Sequence, residues 1–348
     1  MNPQIYRTCC IHTAGKSFYC GFGKELALGL SREAKKSIKK AQKAQRRKRR
    51  KTHWLIIQKG DDTKEIISKV FTQLCCIVVL ASVIILWDYF KAMYDNVKLN
   101  SSLQDIYGSI YGAVTGDGQL LPSAEALLEI NPDTVGWVKI EGTKVDNPVV
   151  LHKEDTPDNF YYLTHNFNGG EAKAGTVFVD YRSTIGYKQQ SDNLVIYGHN
   201  EKDNSMFGDL DEYKHDIEFY RQHPTIQFNT NYETGEYKII ACFVTNVLPS
   251  QSADGTVFDY QNYIDFDEAR YQDFINNVIS RSQIITTVDY RYGDRFITLS
   301  TCSNEFEPSR FVVVARKVRD GEDATVDVAG AYVNENAKEP DWDVIYGR

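Results

Sequence analysis

Arg295-Phe-Ile-Thr-Leu-Ser-Thr-Cys302, then the seven residues Ser303–Ser309, then Arg310-Phe-Val-Val-Val-Ala315 decide how this chain is read. Alternation along the first stretch predicts a strand, with Ile297 and Leu299 on one face and Phe296, Thr298 and Ser300 on the other. Cys302 falls where that strand ends. A seven-residue connection to a second apolar strand favours an antiparallel pair. Such a pair makes Cys302 and Arg310 neighbours at one end of a sheet. A cationic neighbour stabilises a thiolate. A guanidinium, with its rigid fork of donors, also suits the oxyanion of a tetrahedral intermediate.

Working outward, the same strand-and-turn texture covers most of the C-terminal half. Strands are expected near Gly136–Ile140, Asn147–Val150, Thr176–Val179, Asn193–Tyr197, Thr225–Asn229, Tyr237–Val247, Ile284–Val288, Arg295–Ser300 and Phe311–Val318. Asn131-Pro132-Asp133, Glu141-Gly142, Asn168-Gly169-Gly170 and Thr234-Gly235 supply turns between them. Many short strands with few helices predict a mainly β barrel or sandwich. A short helix is expected at Ser123–Glu129 with Ser123 as N-cap, and a later one at Asp265–Ile279, capped by Asp265 or Asp267. After Arg319 the chain is polar with little periodicity, which predicts a weakly packed tail.

A thiolate that attacks a peptide needs a proton donor for the leaving amine, and histidine is the usual choice. Of the five histidines after the apolar run, His199 stands out. It follows the strand Leu194-Val-Ile-Tyr-Gly198 and precedes a polar loop, the position that Cys302 holds in its own strand. His152, His165, His215 and His223 read as solvated or internally satisfied. The sequence has no H-E-x-x-H, no paired Cys/His spacing, no G-x-S-x-G elbow and no phosphate loop. Cysteine chemistry is its strong candidate, with no cofactor and no metal implied.

The 348 residues carry a formal charge of −7 that conceals a split. Residues 1–69 hold 18 Lys/Arg against 5 Asp/Glu, and the remaining 279 hold 22 against 42. An acidic body argues against a nucleic-acid-binding domain. Between arm and body, Val70–Trp87 is 18 residues without a charge. As a helix this run spans about 27 Å, close to a bilayer core. Eleven Lys/Arg within Lys35–Lys51 place the N-terminus on the cytoplasmic side and the body outside, with Trp87, Tyr89 and Phe90 as an interfacial belt. No small-residue cleavage site follows, which predicts an uncleaved single-pass anchor in the cell membrane rather than a removable signal. The expected organisation is a basic arm (1–69), a membrane anchor (70–90), a helical stalk (91–122), a catalytic barrel (123–318) and a polar tail (319–348). Leu99, Leu103, Ile106 and Ile110 mark the stalk at helical spacing, and a break follows at Thr115-Gly-Asp-Gly118.

These residues resemble those of the sortases, and of class B in particular. The family's T-L-x-T-C signature is present as Thr298-Leu299-Ser300-Thr301-Cys302, its downstream arginine as Arg310, and its histidine segment as Tyr197-Gly198-His199-Asn200 followed by Met206-Phe207-Gly208. Asn131-Pro-Asp-Thr-Val-Gly-Trp137, Gly175-Thr-Val-Phe-Val-Asp180 and Asn262-Tyr-Ile264 also match, and together the resemblance covers about residues 94–318. It implies a closed barrel of about eight strands, with N-terminal helices and one helix inserted before the last two strands. It also implies a membrane-anchored transpeptidase of a Gram-positive surface. On that basis Cys302 is the nucleophile, His199 the acid and base, and Arg310 the group that holds substrate or oxyanion. Ser300, Thr301, Tyr263, Ile264 and Asn304 line the substrate groove.

The partners implied are secreted proteins with a C-terminal sorting signal, the amine of a peptidoglycan precursor as acceptor, and the lipid bilayer. Where some class B members carry an acid after the cysteine, this chain has Ser303 and Asn304. Three other readings remain open at this point: a pilin-polymerising sortase with a lysine acceptor, a papain-like hydrolase, and a non-enzymatic β domain that binds a surface partner. The papain-like order places Cys before His, the reverse of His199 and Cys302.

Overall fold

The computed structural model describes residues 32–52, 55–110, 118–152, 159–214 and 216–348. Cys9, Cys10, Cys20, His215 and most of the break after the stalk lie outside these residues. The chain divides between Trp87 and Asp88 into two compact units. The first holds the basic helix α1 (Arg32–Thr52) and the start of α2 (Thr63–Ile110). The apolar run of α2 is uncovered, with Phe71, Leu80, Ile85 and Trp87 exposed by 67, 62, 68 and 70%. An unburied apolar helix of this length is consistent with a membrane anchor.

In the second unit the end of α2 docks on a barrel. Leu103 and Tyr107 are buried, and the Tyr107 ring stacks on Trp137 at 4.3 Å. Asn100 Nδ2 donates to Asn147 Oδ1 and Gln104 Nε2 to the Asp146 carbonyl, both at 2.8 Å. The helix α3 (Pro122–Ile130) starts differently from the expectation. Pro122 takes the first helical position, where its fixed φ suits the helix and its missing N–H costs nothing. Leu121 is therefore the N-cap, and Ser123 lies buried in the first turn.

The barrel strands are β1 (Thr134–Lys139), β2 (Asp146–Val150), β3 (Val177–Val179), β4 (Asn193–Tyr197), β5 (Thr225–Thr230), β6 (Glu236–Asn246), β7 (Phe296–Cys302) and β8 (Ser309–Lys317). They close in the order β1-β2-β3-β4-β7-β8-β6-β5. The β2–β3 and β4–β7 pairs are parallel and the rest antiparallel. Ile297 and Leu299 face the barrel interior, while Phe296 faces a second core beneath helix α5 (Glu268–Arg281). Both faces of β7 are thus buried, one of them carrying the hydrogen-bonded Thr298 and Ser300 beside Phe296, and both faces of Phe311–Ala315 in β8 are apolar, with every side chain fully buried. At about 1.5–3 kcal/mol for each large side chain, these two strands are among the best-anchored parts of the fold. The helix α5 precedes them, as the resemblance implies, and its N-cap is Asp267, which accepts from Arg270 N. A short helix, α4 (Ile217–Gln222), follows the loop after β4.

The tail departs from the sequence reading. Residues 319–348 are laid along the barrel rather than loose. Tyr332–Val333 pairs with Ile284–Ile285, and Ala331 is 1% exposed. The last helix, α6 (Trp342–Tyr346), packs Trp342 and Ile345 against the barrel core. Hydrogen bonds from scattered polar residues hold this segment, and no hydrophobic period announces them.

Candidate active site

The register of three adjacent strands builds the site. In the antiparallel β7–β8 pair, Cys302 lies opposite Arg310. In the parallel β4–β7 pair, Tyr197 lies opposite Ser300. Carried two residues further, that register sets His199 opposite Cys302, and Gly198 N still donates to the Ser300 carbonyl at 3.2 Å. Neighbouring strands lie about 4.8 Å apart. The register thus brings the backbones of His199 and Arg310 to either side of Cys302, whose side chain is exposed. Gly198 permits this: a Cβ there would meet the Phe207 ring at 2.7 Å.

Each partner is oriented from behind. His199 Nε2 donates to the Leu163 carbonyl at 2.8 Å, which fixes the tautomer and leaves Nδ1 to exchange a proton. Asn200 Nδ2 donates at 2.9 Å both to the Cys302 carbonyl and to Asp211 Oδ2. Asp211 also accepts from Asn304 Nδ2 at 3.2 Å and pairs with the buried Lys214 ammonium at 3.0 Å. Lys214 then reaches Glu305 at 2.9 Å, in the loop after the cysteine. Among the described residues the Arg310 guanidinium has one hydrogen-bond partner, the Ser309 carbonyl at 2.9 Å, and no carboxylate partner. Its remaining donors suit an oxygen that becomes negative.

The expected groove residues divide. Ser300 and Thr301 adjoin Cys302 but are each 2% exposed, and Ser300 Oγ is bound to Tyr260 Oη at 2.7 Å. Asn304 is at the cysteine's end of the sheet, with its amide turned to Asp211. Tyr263 and Ile264 are not brought to the cysteine by their backbone. Their carbonyls accept from Asn193, at the start of β4, six residues or roughly 20 Å down the strand from His199.

Sequence reasoning missed a buried carboxylate. Asp180, fully buried after β3, accepts from Arg182 Nε and Nη2 at 2.8 Å, from Tyr197 Oη at 2.9 Å and from Asn159 Nδ2 at 2.9 Å. Burial alone would raise this carboxyl, but the Arg182 fork and the Tyr197 hydroxyl hold it below its ordinary value. Arg182 Nη2 continues to the Gln261 carbonyl at 2.8 Å, beside Tyr260. The cluster thus joins the residue before Gly198-His199 to the turn that holds Ser300. An acid ending an apolar strand, followed two residues later by Arg, was the signal available in the sequence.

The profile of the sortase domain matches residues 138–318. The chain belongs to the sortase family. It is 34% identical over 239 residues to sortase B of Listeria monocytogenes, covering 67% of this chain and 90% of that relative. Among solved structures, sortase B of Bacillus anthracis superposes with a TM-score of 0.56 at 29% identity, covering 66% of this chain and 99% of that one. A Staphylococcus aureus sortase B–substrate complex gives 0.55 at 28% identity, covering 65% and 97%. The chain is a class B sortase, hence a cysteine transpeptidase, on a closed eight-stranded barrel.

Proposed function

We propose that this sortase cleaves a C-terminal sorting signal of secreted proteins and joins the released acyl group to an amine of a cell-wall precursor. It does so at the outer face of a membrane that the α2 helix crosses, with the basic arm inside. The observation that carries the assignment of residues is the register that opposes Cys302 to Arg310 and pairs Tyr197 with Ser300, so that the chain leaving β4 takes His199 to the same end of the sheet. Cys302 Sγ attacks the scissile carbonyl carbon, and the Arg310 donors face the oxygen that gains charge. The C–N bond breaks as His199 Nδ1 passes a proton to the leaving nitrogen, and a thioester remains on Cys302. The acceptor amine then attacks that thioester, His199 takes its proton, and the thiolate leaves. Transfer to an amine rather than to water conserves the acyl bond.

The test uses the full-length chain in detergent micelles. It is incubated with a library of sorting-signal peptides and triglycine as acceptor, beside Cys302→Ala, and products are read by mass spectrometry. A ligated product that disappears in the variant supports the reading. Hydrolysis at equal rates with and without triglycine, or product from Cys302→Ala, refutes it.

A further inference from the structure

The segment beyond Val318 falls outside the sortase-domain match, yet it touches the loop that joins Cys302 to Arg310. Its course is fixed at successive points. Arg319 grips Asp294 with Nε and Nη2, each at 2.7 Å. Asn334 N donates to the Gln283 carbonyl at 2.8 Å, and Lys338 N to the Ser280 carbonyl at 2.7 Å. Asp341 has two duties: Oδ2 accepts from Ala253 N at 3.0 Å, and Oδ1 caps α6 by accepting from Val344 N at 3.1 Å. The helix α6 then meets the Ser303–Ser309 loop. Trp342 packs edge-to-face on Phe306 at 5.6 Å, and Tyr346 Oη donates to the Glu305 carbonyl at 2.9 Å.

The rest of that loop is held by residues within the matched domain. Gln251 Nε2 donates to the Pro308 carbonyl at 2.9 Å, and Lys214 holds the Glu305 carboxylate. Ser309 Oγ donates to the Ser303 carbonyl at 3.1 Å and closes the base. Ser309 Oγ donates to the Phe306 carbonyl as well, and the Phe306 ring is part of the barrel core. To Glu305 and Phe306, the middle of the span between thiol and guanidinium, α6 adds the Tyr346 hydrogen bond and the Trp342 ring contact. A misplacement of about 1 Å at a reacting group can cost on the order of 100-fold in rate.

We propose that Trp342 and Tyr346 are positioning residues of this transpeptidase, and that the C-terminal strap fixes the placement of Cys302 against Arg310. The proposal rests on the reading that these two groups react. Besides the barrel core, their contacts are with Glu305 and Phe306 of this loop, so the strap acts on turnover and leaves peptide affinity alone.

The experiment compares wild type, Trp342→Ala, Trp342→Phe and Tyr346→Phe as full-length chains in detergent. Transfer kinetics and the rate of Cys302 alkylation by iodoacetamide are measured at 25 °C, and melting temperature is read in parallel. Trp342→Ala is expected to lower kcat about tenfold with KM within twofold, and to change the alkylation rate about threefold. Trp342→Phe, which keeps an aromatic edge on Phe306, restores kcat to within twofold of wild type. Tyr346→Phe removes one hydroxyl from a half-exposed ring and lowers kcat about fivefold, beyond the margin allowed to Trp342→Phe; it decides the matter should Trp342→Ala fail to fold. Wild-type kcat and alkylation rate in folded variants, at whatever melting temperature, make the strap structural cover only and overturn the proposal. A rise in kcat makes it an inhibitory lid and overturns it equally. Alkylation reads the thiol directly. A wild-type chain that transfers nothing therefore refutes the reaction assigned above, while the alkylation comparison still decides the role of the strap.

Discussion

Asp180→Asn tests whether the buried carboxylate behind the histidine strand is a structural keystone. The substitution keeps the size and one acceptor oxygen but removes the charge that Arg182, Tyr197 and Asn159 converge upon. Removing one partner of a buried ion pair costs about 3–5 kcal/mol, because the other charge stays behind. Here the Arg182 side chain is 35% exposed, so water takes up part of its orphaned charge and the lower end, about 3 kcal/mol, applies. In a body of this size that is a fall in melting temperature of about 6–12 °C. The sign of the pH dependence follows from the depressed carboxyl of Asp180. Its stabilisation is fully present above the unfolded carboxylate range, near pH 4, and is lost as pH falls through the lower folded value. Wild type should therefore lose stability more steeply than Asp180→Asn below about pH 4. Denaturation of the full-length chain in detergent, followed by near-ultraviolet circular dichroism between pH 3 and 8, measures both. A shift under 2 °C at pH 7, or parallel acid limbs for the two proteins, would show that the cluster adds nothing net to the fold.

Three further outcomes follow from the geometry. Under native conditions iodoacetamide should modify Cys302 and spare Cys242, which is fully buried and whose thiol burial pushes up to about 12; peptide mapping that finds equal labelling would contradict the placement of either residue. Leu103→Ala, cutting back a side chain only 2% exposed where α2 meets Trp137, should destabilise the outer unit by about 2–5 kcal/mol in urea titration, and a loss under 1 kcal/mol would detach the stalk helix from the fold. Arg310→Lys keeps the charge but not the fork, and should slow peptide transfer about 100-fold while leaving Cys302 open to alkylation; transfer within threefold of wild type would remove Arg310 from the reaction.

The parts of this molecule that sequence reading reached are those in which a local rule fixes a long-range result. Alternation in Phe296–Cys302, a seven-residue connection and a second apolar run were enough to oppose Cys302 and Arg310, because a short antiparallel connection leaves few registers. His199 is different. Its strand reaches that of the thiol through a parallel pairing between segments about a hundred residues apart, and such pairing leaves no local trace. Its position at a strand exit and the family resemblance pointed to it; the register pairs Tyr197 with Ser300, two residues short of it. The roles that went unread, those of Asn200, Asp180, Lys214 and the strap, rest on side-chain hydrogen bonds and ion pairs, most of them to partners far away in sequence. A polar residue in a loop looks the same whether it is solvated or spent on such a bond. The tail shows the consequence most plainly. The apolar side chains it packs against the barrel, Ala331, Trp342 and Ile345, follow no period, so the polar composition around them assigns it to solvent. Yet its anchors fall on Ser280, Ala253 and Glu305, three segments far apart in sequence, the last of them in the cysteine loop. A segment placed by bonds of that kind has no reason to carry a pattern, although the loop it meets joins Cys302 to Arg310.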